Sequence, residues 1–373
     1  AIETKRDSEY QRAISIESLV CPFVLEFLER RLWVPKRQPS FSLLSCKRKN
    51  YFFAVMDSKV MKDKVAESCP YLEVQAYFAN ILKQDKAASA SVASIETLYE
   101  CLKRSNATTL IGLSNELKKA VEAMLDTDCS YITISSASEL FLRFISLASL
   151  DQPHQIFSDC LNVLLLRGKT FLHRVADSRY KIACLSRPFI RNGSRILTHA
   201  NSQVLLNALV LAKSEGKTFD VYVTQSSPDH SGELFKSSLE KHNIPCTVIL
   251  DSAVGYIMES VDFVLVGAEG VVEPGGIINK IGTLTIAMCA KAMNKPFYVL
   301  AESVKFVRAY PINQEGMPLR FKYRNSLLKS GKDLRKENPR IDYTPPSYIN
   351  LLFTDLGILT PAAVSDELIK LYM

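Results

Sequence analysis

The sequence lacks the features of membrane, secreted and zinc-binding proteins. None of its uncharged apolar runs approaches the roughly 20 residues that a bilayer-spanning helix needs. The first ten residues are charged and do not have the shape of a signal peptide. The nine cysteines include no CxxC pair, so neither a zinc site nor a disulfide scaffold is indicated. We therefore expect a protein of the cytosol that makes no membrane contact and keeps its cysteines reduced.

Signatures of common catalytic sites are missing as well. The sequence has no Walker motif, no GxGxxG glycine fingerprint and no GxSxG nucleophile elbow. The five histidines show no metal-ligand spacing. Hydrolase chemistry is therefore unsupported, an NAD-dependent enzyme is only a weak alternative, and we predict neither a metal nor a cofactor.

Basic residues only slightly outnumber acidic residues in this sequence. The chain has 46 basic and 39 acidic residues, a net charge of +7 spread over 373 residues. This charge is too dilute to indicate a nucleic-acid-binding surface, although it is a weak indication of acidic partners. With 47% hydrophobic and 23% charged residues, the composition is typical of a globular protein with about two domains.

Residues 1–55 differ in composition from the rest of the chain. Between Arg30 and Val55 there are seven basic residues and no acidic one. Pro35 and Pro39 would break any long helix in this segment. We predict a disordered or poorly packed leader, and a basic organelle-targeting segment is the alternative interpretation.

The remaining chain divides into two patterns. Residues 56–190 are predicted to form a helical domain, because apolar residues recur there at helical spacing and glycine is scarce. In residues 191–373, short apolar strands alternate with helices, which indicates a parallel sheet covered on both faces. The predicted fold is therefore α/β, with an N-terminal helical domain followed by a Rossmann-like parallel-sheet domain.

Two loops at predicted strand ends carry the polar side chains of a candidate site. The THAN segment (198–201) ends the first strand, and a glycine-rich segment (267–276) leads from another strand into a predicted helix near residues 279–293. Strand carboxyl ends border the ligand crevice of a parallel sheet, and the N–H groups of a helix start attract anions. An equally good interpretation is a tight turn with Asn279 as the helix N-cap and Lys280 as a solvated side chain.

These loops also carry a family resemblance. Three segments resemble the superfamily that joins the regulatory subunits of translation initiation factor 2B to sugar-phosphate isomerases: THAN (198–201), VGAEG (266–270) and NKIGT (279–283). Three more segments narrow the resemblance to the alpha-type subunits: DSAVGYIME (251–259), AESVKFVR (301–308) and SDELIKLY (365–372). The resemblance covers about residues 56–373 and implies that residues 1–55 lie outside the family.

The resemblance implies a pocket that has lost its catalytic residues. In the isomerases a cysteine follows Thr-His and an aspartate follows Gly-Ala, whereas here these positions hold Ala200 and Glu269. Losing one acid/base group typically costs about a hundredfold to ten-thousandfold in rate. The alternative is an isomerase in which Glu269 and His199 act as substitutes. By the same resemblance, a retained pocket would hold a sugar phosphate through Thr198, His199, Glu269, Asn279 and Lys280.

The resemblance also implies partners. Alpha-type subunits pair through their Rossmann-like domains, and the homodimer joins two beta-gamma-delta-epsilon tetramers into a decamer. That complex exchanges GDP for GTP on initiation factor 2, with catalysis in the epsilon subunit, and it reads the phosphorylated alpha subunit of initiation factor 2. Lysine and arginine suit a phosphoserine, although an ordinary solvated helix face is the alternative for each candidate. The candidates in the helical domain are Lys103, Arg104, Lys118 and Lys119.

Overall fold

A computed structural model describes residues 70–84, 89–146, 157–227, 229–318 and 339–372. The predicted leader, residues 1–55, lies outside the described residues. All described residues belong to one compact unit that begins at Ser68. The division into two domains at residue 190 stays a prediction.

The described part of the N-terminal half is helical, as predicted. Its helices are α1 (Pro70–Gln84), α2 (Ala90–Arg104), α3 (Leu110–Leu125), α4 (Tyr131–Ser146) and α5 (Phe157–Ser186). On α3 the residues at helical spacing, Leu113, Leu117, Ala120 and Met124, are all buried, so this spacing marks a core face. None of the described helices is both long enough and apolar enough to cross a membrane.

The C-terminal half alternates strands and helices. The strands are β1 (Ser194–Thr198), β2 (Phe219–Thr224), β3 (Cys246–Ile249), β4 (Phe263–Gly267), β5 (Gly270–Val272), β6 (Ile277–Lys280), β7 (Phe297–Leu300), β8 (Phe306–Val307), β9 (Ile341–Thr344), β10 (Leu351–Thr354) and β11 (Gly357–Leu359). The helices are α6 (Gln203–Ser214), α7 (Ser231–Glu240), α8 (Val254–Ile257), α9 (Thr283–Ala292) and α10 (Ala363–Tyr372).

Seven strands form the main sheet in the order β11-β10-β7-β4-β1-β2-β3. Every neighbouring pair is parallel except β10 and β11. From β1 the chain moves outward to β2 and β3 on one side, and from β4 it moves outward on the other. The strand order therefore reverses between β1 and β4, where sheets of this kind bind ligands. The predicted Rossmann-like architecture is confirmed.

Apolar side chains cover both faces of this sheet. One cluster packs Val264 and Val266 of β4 against Ile286 of α9, and Leu140 of α4 belongs to the same cluster. The helical half therefore shares core contacts with the sheet. A second cluster packs Leu205 of α6 against Ile196 of β1 and Val221 of β2.

A second sheet has the strand order β8-β5-β6-β9. Its strands β5 and β6 lie where the sequence predicted a glycine-rich loop and a helix start. The prediction of a helix beginning near Asn279 was wrong. Asn279 and Lys280 end strand β6, and α9 begins at Thr283 after Gly282, whose φ is 105°. The apolar residues of β5 and β6 are valines and isoleucines with 0% exposure, which favour strands. Asn279 is therefore not a helix N-cap.

Candidate functional site

A cavity of about 420 Å³ lies at the point where the strand order reverses between β1 and β4. Four of the predicted site residues line this cavity, namely His199, Glu269, Asn279 and Lys280. The side chain of Thr198 is buried within β1 and does not line it. The topology thus brings residues from the ends of β1, β4 and β6 to one crevice. Binding of a sugar phosphate there stays a prediction.

His199 is held by hydrogen bonds on both ring nitrogens. The side chain is 2% exposed. Nδ1 lies 2.6 Å from Thr224 Oγ1, and Nε2 lies 2.9 Å from the carbonyl oxygen of Ile281. Because a carbonyl can only accept, Nε2 carries the proton and Nδ1 accepts from the threonine hydroxyl. Burial lowers the pKa of His199, so the ring stays neutral at pH 7 and links β1 and β2 to the turn before α9.

Ala200 offers the cavity only a methyl group. Its φ of 59° lies in the left-handed region, which alanine seldom adopts. Its backbone N–H donates to Ser226 Oγ at 2.9 Å, which fixes this conformation at the end of β1. A proton cannot be exchanged by a methyl group, so this position of the crevice has no acid or base.

Glu269 and Lys280 form a polar group across the cavity. Ser130 Oγ donates to Glu269 Oε2 at 2.7 Å, and Lys280 Nζ lies 3.8 Å from Glu269 Oε1. Lys280 Nζ is closer to Asp229 Oδ2, at 3.2 Å. Burial alone would raise the pKa of Asp229, but the positive charge of Lys280 and hydrogen bonds from Ser231 lower it below its ordinary value. The ammonium group is therefore shared between two carboxylates of the same chain.

The N-terminus of α9 is already occupied by a carboxylate. Asp342 Oδ2 accepts hydrogen bonds from the backbone N–H groups of Gly282 at 2.8 Å and Leu284 at 3.0 Å. Burial raises the pKa of Asp342 to about 7, even though these N–H groups act in the opposite direction. The sequence interpretation in which this helix start attracts an external anion is therefore wrong, because Asp342 fills the position. Asn279 Nδ2 donates to Thr283 Oγ1 at 3.1 Å.

A buried ion-pair group that the sequence did not reveal also borders the cavity. Glu302 is 1% exposed, and its carboxylate oxygens lie 3.1 Å from Arg179 Nε and 2.7 Å from Lys305 Nζ. Burial alone would raise the pKa of Glu302, but Lys305 and Arg179 outweigh burial and lower it. Arg179, Glu302 and Lys305 all line the cavity. Glu302 and Lys305 belong to the AESVKFVR segment after β7, whereas Arg179 comes from α5, so no local motif joins all three.

The lining carries charges of both signs. Its cations are Arg179, Lys280, Lys305 and Arg340, and its carboxylates are Asp128, Glu269 and Glu302. Arg340 NH1 lies 3.6 Å from Asp128 Oδ2, so each cation has a carboxylate close by. Within the described part of the chain, no group of three or more histidine, cysteine, aspartate and glutamate residues is arranged to hold a metal. The cavity therefore combines hydrogen-bond donors with charges that are already paired within the chain.

The predicted phosphoserine donors lie on two different helices. Lys103 and Arg104 end α2, where Glu100 lies 3.4 Å from the former and 2.8 Å from the latter. The hydrogen bond from Arg104 is the main reason why the pKa of Glu100 is lowered. Lys118 and Lys119 lie on α3. Lys103 and Arg104 are thus both paired with a carboxylate of their own helix.

A family model and several relatives match most of this chain. A model described as the initiation factor 2 subunit family matches residues 83–361. Over 299 residues the chain is 46% identical to translation initiation factor eIF2B subunit alpha of Caenorhabditis elegans, covering 79% of this chain and 97% of the relative. Over 313 residues it is 44% identical to the same subunit of Dictyostelium discoideum, covering 80% and 96%. A more distant relative is ribose 1,5-bisphosphate isomerase of Archaeoglobus fulgidus, 32% identical over 250 residues that cover 66% and 77%.

Solved structures share the fold. The Pyrococcus horikoshii translation initiation factor eIF-2B superposes with a TM-score of 0.62 at 25% identity, covering 79% of this chain and 98% of that one. The tetrameric eIF2B-beta2-delta2 complex of Chaetomium thermophilum superposes with a TM-score of 0.64 at 16% identity, covering 81% and 94%. At 16% identity the likeness concerns the fold alone.

Proposed function

Since this chain belongs to the initiation factor 2 subunit family, as its motifs predicted, we propose that it acts in the cytosol as the alpha-type regulatory subunit of the complex that exchanges GDP for GTP on initiation factor 2. The kinship with alpha subunits supports a translation initiation factor regulatory subunit with a non-catalytic role. The observation that carries the proposal is the 46% identity, which extends over 97% of the nematode subunit. The isomerase relative is matched less completely, at 32% identity over 77% of its length.

The proposed architectural role is assembly. In this proposal a homodimer of the chain joins two beta-gamma-delta-epsilon tetramers into a decamer. Sedimentation of the purified chain with such tetramers tests it: we expect a stable dimer that converts tetramers into decamers. A monomer that leaves the sedimentation of the tetramers unchanged would refute the assembly role.

The proposed regulatory role is recognition of phosphorylated initiation factor 2 by basic residues of the helical half. We would reverse the charge of Lys118 and Lys119 together, because both candidates lie on α3. Exchange activity of the assembled complex is measured with and without the phosphorylated factor. We expect weaker inhibition with Lys118→Glu/Lys119→Glu and normal inhibition with Lys241→Glu, a control at an exposed lysine directly after α7. Unchanged inhibition with the first variant would refute this surface.

The proposed role of the cavity is to bind a sugar phosphate without converting it. Lys280, Lys305 and Arg340 are donors for a phosphate, and Glu269 and Asn279 can bond sugar hydroxyls. Catalysis is not expected, because Ala200 has no acid or base and both nitrogens of His199 are already bonded within the protein. In this proposal the pocket is a vestige of an isomerase site.

Calorimetry with ribose 5-phosphate and ribose 1,5-bisphosphate tests the pocket. We expect binding that Lys280→Ala weakens and that the surface control Lys236→Ala leaves unchanged. No binding at millimolar ligand, or equal binding by Lys280→Ala, would contradict the proposal. The alternative function, an isomerase in which Glu269 and His199 replace the acid and base, is tested by a coupled isomerase assay on the same samples. Turnover abolished by Glu269→Gln would favour that alternative.

A further inference from the structure

Lys280 lies at the edge of the cavity between β1 and β4, which we call the switch-point cavity. Its ammonium group is placed between two carboxylates, of which Glu269 lines the cavity and Asp229 does not. Lys280 Nζ lies 3.2 Å from Asp229 Oδ2 and 3.8 Å from Glu269 Oε1. The ammonium group is therefore closer to the carboxylate that stands outside the cavity.

Asp229 is held in place by the turn that precedes α7. Its Oδ1 accepts a hydrogen bond from the backbone N–H of Ser231, the first residue of α7, at 3.0 Å. Between them, His230 has a φ of 51°, in the left-handed region. A Cβ at Gly232 would collide with the carbonyl oxygen of Thr224, so this turn lies directly against the end of β2. Asp229 therefore cannot move far without disturbing the start of α7.

Lys280 is the member of the pair that can change position. Its backbone is fixed, because β6 pairs with β9 at this residue. Its charge, however, is carried on a flexible four-carbon chain with three rotatable donors. The side chain of Lys280 is 24% exposed. A change of rotamer can therefore turn the ammonium group away from Asp229 and into the cavity, while the backbone of both residues stays in place.

Asp229 is a charged competitor at neutral pH. Burial alone would raise the pKa of Asp229, but Lys280 and the hydrogen bonds from Ser231 lower it, so the carboxylate is ionised at pH 7. A phosphate that binds Lys280 must therefore take the ammonium group from a full negative charge. A phosphate monoester can do so, because it carries up to two negative charges and three acceptor oxygens.

We propose that Asp229 is a positioning residue of the pocket, which holds the ammonium group of Lys280 at the cavity edge until a phosphate takes that group over. This role rests on the proposed sugar-phosphate binding and adds a residue that sets its affinity from outside the cavity. Because Asp229 does not line the cavity, its charge can be removed while the groups that surround a ligand stay the same.

Calorimetry of the full chain with ribose 5-phosphate tests this role. The perturbing variant is Asp229→Asn, which loses the charge but keeps an oxygen that can accept from Ser231. The matched control is Glu240→Gln on α7, which removes the charge of an exposed carboxylate that pairs with Lys236 and does not line the cavity. We expect Asp229→Asn to bind about fivefold more tightly, which corresponds to about 1 kcal/mol. Glu240→Gln and the charge-conserving Asp229→Glu should both bind like the unchanged chain.

The gain in affinity must act through Lys280. In a chain that carries Lys280→Ala, Asp229→Asn should change the affinity by less than about twofold, because no ammonium group remains to be held. A crystal structure with ribose 5-phosphate should show Lys280 Nζ on the phosphate and beyond hydrogen-bond distance from Asp229. A merely structural role of Asp229 would produce neither result.

Failure of this role can be told apart from failure of the pocket. If Lys280→Ala weakens binding while a folded Asp229→Asn binds no more tightly than the unchanged chain, the pocket stands and the role of Asp229 is refuted. An equal gain in Glu240→Gln would reduce the effect to overall charge and would refute the role as well. If neither the unchanged chain nor Asp229→Asn binds at millimolar ligand, the pocket proposal fails and this role fails with it. Thermal unfolding followed by circular dichroism checks that each variant is folded.

Discussion

Replacing Glu302 by glutamine should destabilise the fold and tighten anion binding at the same time. Glu302 is buried between Arg179 and Lys305, whose side chains are only 14% and 11% exposed. The variant keeps the shape of the side chain but removes the charge that compensates both cations. Because Arg179 and Lys305 also line the switch-point cavity, each would become available to a ligand.

The magnitude follows from the burial of the group. Removing one member of a buried ion pair costs about 3 to 5 kcal/mol, since the remaining charge is left uncompensated. Glutamine can still accept one hydrogen bond, so we expect about 3 kcal/mol, or a melting point lower by roughly 4 to 5 °C for a chain of this length. For the exposed pair of Lys236 and Glu240 on α7, Glu240→Gln should cost less than about 0.5 kcal/mol.

Urea unfolding and calorimetry with inorganic phosphate measure the two effects. We expect phosphate to bind Glu302→Gln roughly tenfold more tightly than the unchanged chain, about 1.4 kcal/mol, because two cations lose the carboxylate charge between them. Glu240→Gln should change neither quantity. The reasoning is refuted if Glu302→Gln unfolds at the same urea concentration as the unchanged chain, or if its stability falls while its affinity for phosphate does not rise.

The same carboxylate makes stability depend on pH. The charges of Lys305 and Arg179 keep the pKa of Glu302 below its ordinary value of 4.5, in spite of burial. Since the folded pKa is the lower one, the stabilisation is complete above pH 4.5 and is lost as the pH falls through the folded pKa. Glu302→Gln should therefore lose less stability on acidification than the unchanged chain does.

Two further changes test the packing of α5 and the N-terminal cap of α9. Gly168→Ala should cost about 1 to 3 kcal/mol in urea unfolding, because its new methyl group would lie 2.8 Å from the ring of Tyr99, and an unchanged midpoint would show that the ring moves freely. Burial raises the pKa of Asp342 from 3.8 to about 7, so between these pH values the folded protein keeps a proton that the unfolded chain has released. The free energy of unfolding therefore falls as the pH rises from 3.8 to about 7. Asp342→Asn, which can still accept from Gly282 and Leu284, should remove about 2 kcal/mol of the decline between pH 5 and pH 8, and a decline of the same size in both proteins would contradict this.

The fold could be predicted because its signals are local. Apolar spacing on α3 and the alternation of strands and helices after Gly193 follow from residues close in sequence. The error at Asn279 has the same origin. A glycine-rich stretch before Thr283 was interpreted as a loop and a helix start, whereas pairing with β9, about 60 residues away, makes it a strand. Pairing partners at such a distance leave no periodic signal in the strand itself.

The candidate site was predictable only in part, for a related reason. The THAN and VGAEG segments stand at strand ends, so their place in the crevice follows from the topology. Arg179 lies in the middle of a helix, and Arg340 precedes a strand, so neither has a motif around it. Their place in the site follows only from the fold, which brings Arg179 beside Glu302 and Arg340 beside Asp128.

The positive charges of the switch-point cavity are already balanced within the chain, and this balance predicts how the cavity responds to an anion. Arg179 and Lys305 lie beside Glu302, Lys280 lies beside Asp229 and Glu269, and Arg340 lies beside Asp128. An incoming phosphate must therefore share or displace an existing pair. Neutralising Glu302 removes one of these competing carboxylates, so a phosphate should gain affinity in Glu302→Gln but not in Glu240→Gln, whose carboxylate lies on α7 and does not line the cavity.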